Sequence, residues 1–213
     1  MTTIVISSGH GAKVPGADGI INEVQQARRV VDALAAELES REVNVIVFHD
    51  DTSTSQGENL NTIVAAHNRE TRDLDISVHF NAFEQREGPV GTEVWYISQK
   101  NLAAQLSAAM ADGGDFIDRG AKYTDDLKFL NSTNKPAVLL EVCFVDSEED
   151  CRLYEMNFTT IIEALADVFA EGEEEITEPV PPPGEEIIPP RVDISVSGDV
   201  LIYVNGDQVG TKG

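Results

Sequence analysis

From the N-terminus, the chain alternates short β-branched runs with longer stretches whose apolar residues recur every three or four positions. Ile4-Val5-Ile6 is the first such run. Asn22 then caps a helix on which Val24, Ala27, Val31, Leu34, Ala35 and Leu38 share one face. Val43 to Phe48 reads as a second, buried strand. Leu60, Ile63, Val64 and His67 mark one face of a short helix, and a third strand follows at Asp75 to His79. Gly91 to Ile97 is a fourth strand, and Leu102, Leu106, Ala109 and Met110 line the next helix. Pro136 opens a fifth strand, Ala137 to Val142, and Phe158, Ile161, Ile162, Leu165, Val168 and Phe169 form the face of a closing helix. Such alternation predicts an α/β fold, a mostly parallel sheet covered by helices on both faces.

The pattern breaks after Ala170. Residues 171–190 hold seven glutamates, six prolines and no basic residue, a composition that builds no core and favours an extended, semi-rigid linker. Beyond it Val192, Ile194 and Val196 alternate, Val200 to Val204 reads as a strand, and Asn205-Gly206 is a strong hairpin turn signal. The chain therefore divides into a core domain at 1–170, a linker at 171–190 and a small β-hairpin tail at 191–213. A lone hairpin of this size is marginal in water. The tail is expected to pack against copies of itself, making a homo-oligomer, with the core domain or an external surface as the alternatives.

Charge narrows the partners. Fifteen basic against thirty-eight acidic residues give a net charge of -23 over 213 residues. So acidic a surface repels phosphate backbones and anionic lipid heads, which argues against nucleic-acid binding and stable membrane anchoring. No apolar run reaches the ~18–20 residues of a membrane span. The opening MTTIVISSGHG lacks a basic region and a long apolar stretch, so a protein made in the cytoplasm without a signal peptide is expected. Cys143 and Cys151 are too few for a disulfide scaffold and read as reduced thiols, a bridge between them being the minor alternative.

In sheets of this kind, functional groups gather at the carboxyl ends of strands. His10 follows strand one within Ser7-Ser8-Gly9-His10-Gly11, and His79 ends strand three. Glu141 lies inside strand five, flanked by Leu139-Leu140 and Val142-Cys143, where a carboxylate is costly to bury without a purpose. Glu23 sits in the first turn of the Asn22-capped helix. Two imidazoles and one carboxylate form a ligand set that suits zinc with one position open for water, and a second carboxylate could shuttle the proton of that water. Against this, a histidine after a strand is more often a structural hydrogen bonder, and a glutamate in a first turn often only complements the helix dipole. His49 and His67 are assigned that structural role.

These residues stand in contexts that resemble the zinc-dependent N-acetylmuramoyl-L-alanine amidases of the AmiA/AmiC and CwlV-like type, including phage endolysins. The matching stretches are Ile4 to Gly11, Asn22-Glu23, Ile76 to Ala82, Arg119-Gly120-Ala121-Lys122, and Pro136 to Ser147, in the family's order over nearly all of 1–170. The resemblance implies zinc as cofactor, His10, Glu23 and His79 as its ligands, and Glu141 as the catalytic carboxylate. It implies peptidoglycan as substrate, cut between the lactyl group of N-acetylmuramic acid and the L-alanine of the stem peptide. With no export signal, a bacteriolytic lysin that reaches the cell wall after release is expected. A zinc deacetylase or carboxypeptidase, or a non-catalytic wall-binding module, is the alternative. The family often has an acidic residue where this chain has Ser7-Ser8, which leaves open what orients His10. Of the interval from His79 to Glu141, only 83–90 is unassigned, and Gly88-Pro89 there favours a turn; an inserted helix that blocks the site is not expected.

Overall fold

The β-branched run at the N-terminus forms β1 (Thr3–Ser8), which pairs in parallel with β2 (Asn44–Phe48) on one side and β3 (Leu74–Asn81) on the other. The computed structural model describes residues 2–171, 200–204 and 207–212, with side chains over 2–169. Within the larger part, helices α1 (Glu23–Ser40), α2 (Gln56–Arg69), α3 (Lys100–Gly114), α4 (Lys128–Ser132) and α5 (Glu148–Glu171) alternate with β1 to β6. The remaining strands are β4 (Thr92–Tyr96), β5 (Asp118–Tyr123) and β6 (Ala137–Phe144). The sheet order is β2-β1-β3-β6-β4-β5, parallel throughout except where β4 runs antiparallel to β6. This is the mostly parallel α/β architecture the sequence predicts.

Three elements differ from the sequence pattern. β2 is half-buried rather than buried, because it is an edge strand with one free side. The opposite edge, β5, reads Asp-Arg-Gly-Ala-Lys-Tyr and has no apolar run to announce it, so the strand at Ala137 is the sixth rather than the fifth. α4 is five residues long, too short to show a helical period.

Strand alternation divides the core in two. Ile4, Ile6, Ile76, Val78, Val138, Leu140 and Val142 join the buried faces of α1, α3 and α5 in the larger cluster. On the other face Ala137 and Leu139 pack with Ile63 of α2 and Phe129 and Leu130 of α4. That smaller cover reaches Leu139, and the next residue of β6 on the same face is Glu141. His79 is its register partner on β3, and Glu93 its partner on β4. A row of three polar residues therefore crosses the sheet where the apolar cover stops.

The chain divides into two units, 1–176 and 177–213. Of the second, the antiparallel strands β7 (Val200–Val204) and β8 (Asp207–Lys212) are described, with Val200 opposite Lys212 and Val204 opposite Asp207. The strand expected at Val200 to Val204 is thus present. The linker beyond Glu171 and the alternating residues 192–196 lie outside the described residues. Both cysteines are buried free thiols. Among the described residues no helix is long and apolar enough to cross a membrane.

Candidate active site

Three of the four residues singled out in the sequence converge on one point. Asn22 caps α1 by accepting from the Gln25 amide, which fixes Glu23 in the first turn with its side chain buried. Glu23 Oε1 accepts from His79 Nδ1 at 3.0 Å and from the Phe80 amide at 3.1 Å, while Oε2 accepts from the Ala17 amide at 2.5 Å. His10 Nε2 lies 3.6 Å from the same Oε1, and the two imidazoles meet edge to face with centroids 5.2 Å apart. Ligand-type atoms of His10, Glu23 and His79 all fall within 4.8 Å of one another.

Glycine makes the room. A Cβ on Gly9 would stand 1.8 Å from His79 Nε2, and one on Gly16 would stand 2.4 Å from Glu23 Oε2 and 2.8 Å from His10 Cδ2. His10 Nδ1 is buried with no hydrogen-bond partner. Two imidazoles and a carboxylate, held close around a space that two glycines keep clear, fit a zinc-type cation. Burial lowers the His10 pKa against the pull of Glu23, favouring the neutral ring a metal requires. Burial would likewise lower His79, but its hydrogen bond to Glu23 and the charge of Glu141 outweigh that and raise it.

Glu141 stands beside this cluster as the cross-strand partner of His79. Burial pushes its carboxyl up to about 8, with His79 opposing and the carboxylates of Glu23 and Glu93 adding to the rise. Its Oε2 is out of solvent contact and has no hydrogen-bond partner. A carboxyl so placed readily takes and gives a proton near neutral pH.

The loop around His10 answers what orients that residue in the absence of a preceding carboxylate. Ser8 Oγ donates to the His10 carbonyl at 3.3 Å and meets His49 Nδ1 at 2.9 Å, while His49 Nε2 meets Asp32 at 3.1 Å. The Gly9 amide donates to the Val78 carbonyl, and the Ala12 amide to the carbonyl of Asp50. His67 is buried between Ser7 Oγ and Asp75. Both histidines read as structural are therefore hydrogen-bonded into the fold, away from the cluster.

Sequence reasoning passed over Glu93. It is buried on β4, accepts from Arg119 Nε at 2.7 Å and from Asn81 Nδ2 at 3.2 Å, and faces Glu141 across the strand pair. Arg119 reaches it through a register shift between β4 and β5, where Gly120 takes φ +76°. An extra residue at such a point re-aims its side chain, and glycine tolerates the left-handed backbone. The Arg119-Gly120 pair was the signal, but the antiparallel pairing of β4 with β6 is not visible in local pattern.

A family model described as N-acetylmuramoyl-L-alanine amidase matches residues 4–170. An uncharacterized protein of Clostridium perfringens is 33% identical over 190 residues, covering 86% of this chain and 55% of that protein. A probable cell wall amidase, LytH of Staphylococcus saprophyticus, is 27% identical over 150 residues, covering 70% of this chain and 50% of its own length. The chain thus spans about half the length of the curated relatives it matches. Among solved structures, the catalytic domain of the CD27L endolysin targeting Clostridia difficile superposes with a TM-score of 0.71 at 28% identity, covering 80% of this chain and 98% of that domain.

Proposed function

The chain belongs to the N-acetylmuramoyl-L-alanine amidase family, and from that premise we propose that it hydrolyses peptidoglycan at the amide between the muramic lactyl group and L-alanine. His10, Glu23 and His79 would hold zinc, and Glu141 would be the acid–base group. The observation that carries this reading is the convergence of those three side chains within 4.8 Å, next to a buried carboxyl that has no other partner. Zinc bound there supplies a polarised carbonyl and a water of lowered pKa. Glu141, set beside His79 by strand register, would be placed to accept a proton from the attacking water and to return one to the leaving amine. Glu23 fixes His79 through Nδ1, and glycine at 9 and 16 leaves room for the His79 ring and for the side chains of Glu23 and His10.

The reading extends to a lysin that acts on the cell wall. Its test is mass spectrometry of purified peptidoglycan digested with and without a chelator. Release of peptides with a free L-alanine amino terminus, abolished by the chelator and restored by zinc, is the expected result. Release of acetate, or of a single terminal D-amino acid, would replace the reading with a deacetylase or carboxypeptidase, and no product at all with a wall-binding module.

A further inference from the structure

Next to the row His79–Glu141–Glu93 lies a half-open cavity of about 410 Å³, lined by Asn81, Phe83, Arg86, Val90, Arg119 and Phe144. Its position follows from the strands. Asn81 is two residues past His79 on β3 and pairs with Phe144 of β6, while Arg119 begins the turn of β5 that meets Glu93. Glu93, which accepts from Asn81 and Arg119 of this wall, is the cross-strand neighbour of Glu141.

The cavity is basic in a strongly acidic chain. Residues 1–170 carry thirteen basic and twenty-eight acidic residues, a net -15, yet two arginines stand together at this one place. Arg119 spends Nε on Glu93 and lies 5.1 Å over the Phe144 ring. The Arg86 guanidinium has no side-chain hydrogen bond or ion pair among the described residues, although its backbone is firmly held. Its amide donates to the Asp146 carbonyl and its carbonyl accepts from Glu148. The same loop is tied to the start of α5 by Phe83 N to Asp146, Val90 N and Gly91 N to Asp150, and Ser147 Oγ to the Gly88 carbonyl. So the loop presents an uncommitted cation from a fixed backbone, against the apolar walls of Phe83, which is 80% exposed, and Phe144. That is the arrangement of a carboxylate subsite with little ordering cost left to meet on binding.

The side of the scissile bond it serves follows from the proton path. The group that protonates the leaving amine must lie on the amine side of the amide, and Glu141 is that group in the reading above. On that reading the stem peptide lies on the Glu141 side, where Glu93 and the cavity wall that holds it come next. In the stem, the residue after L-alanine is a γ-linked D-glutamate, whose α-position is a free carboxylate or a carboxamide. We propose that the Arg86–Arg119 cavity binds this second stem residue and selects the free carboxylate over the carboxamide; the proposal rests on the amidase reading.

Two soluble substrates test it on the full chain: N-acetylmuramoyl-L-alanyl-D-isoglutamyl-L-lysine and its D-isoglutaminyl counterpart. The native chain should favour the acid about five- to tenfold in kcat/KM, the scale of one charge-assisted contact at a half-open site. Arg86→Ala should bring the ratio close to one, and Arg86→Glu should invert it; Arg86 is exposed, so neither change should disturb folding. A ratio near one in the native chain, or an unchanged ratio in Arg86→Ala while both substrates are still cut, overturns the subsite and leaves the amidase reading standing. If neither substrate is cut at the lactyl amide, the amidase reading falls and the subsite with it.

Discussion

At the residue scale, the site depends as much on absent atoms as on ligands. The space taken by the His79 ring is the space a Cβ of residue 9 would occupy, so Gly9→Ala forces the imidazole away from Glu23. The exchange should leave circular dichroism unchanged and weaken zinc binding roughly tenfold or more, as loss of a supporting contact around a ligand does. Competition with a chromophoric chelator reads this directly. Glu141→Gln, which keeps shape and removes the base, should retain one zinc per chain and lose about 10²–10⁴-fold in kcat. Zinc content falling together with activity would make Glu141 a ligand instead. Glu141 stood out in the sequence because it interrupts an apolar strand, and His10, Glu23 and His79 because they sit in a glycine-rich turn after a strand, behind a helix cap and at a strand's carboxyl end. Glu93 was not, because a polar residue alternating with Val94 reads as an ordinary solvent face. Only the antiparallel return of β4 against β6 turns that face toward Glu141.

At the scale of elements, three are pinned by one buried polar network. His67 of α2 bonds Ser7 of β1 through Nε2 and Asp75 of β3 through Nδ1, and Arg72 holds both oxygens of Asp75 at 2.7 Å. His67 occupies an apolar helix face, and that position gave away its burial without naming its partners. Burial alone would raise the Asp75 carboxyl; the hydrogen bonds from His67 and Arg72 outweigh it and hold the group below the usual carboxylate range. An unfolded aspartate titrates near ~3.9. Asp75 therefore contributes stability that is complete above about pH 4 and is lost as pH falls through its lower folded value. Asp75→Asn leaves Arg72 buried without its counter-charge and should cost about 3–5 kcal/mol at pH 6. Urea unfolding at a series of pH values should show the gap between the native chain and this variant closing below pH 4. A gap independent of pH would mean that packing, not charge, carries the effect. Edge elements were the ones sequence pattern rendered poorly. β5, with one unpaired side, carries no apolar run and leaves no pattern, and β2 is placed by its run of apolar residues but is only half-buried because its outer side is unpaired.

For the whole molecule, the question is whether the cluster works without help. Between β3 and β6 the described elements are the 82–91 loop, β4, α3, β5 and α4, and each has its place. The loop is strapped to α5, Leu106 and Met110 of α3 join the larger core, and α4 packs with α2 and β6. The side chains of His10 and His79 keep 18% and 15% of their exposure, so solvent reaches both imidazoles while Glu23 stays buried. Residues 1–172 contain the whole family match and all four site residues. That fragment should cleave peptidoglycan with zinc alone, and zinc-loaded protein that stays inert until a partner is added would refute this. What the tail adds is then a matter of numbers of sites rather than chemistry. Association of the tails would link several catalytic units and raise their effective concentration on a polymeric wall. In light scattering the 213-residue chain should therefore have a mass that is an integral multiple of 23.1 kDa, and the fragment that of a monomer. It should also outpace the fragment on intact wall while matching it, per site, on a soluble muramoyl peptide. Monomer masses for both would remove the tail from this role, and a deficit of the fragment on the soluble substrate would place the tail in the chemistry itself.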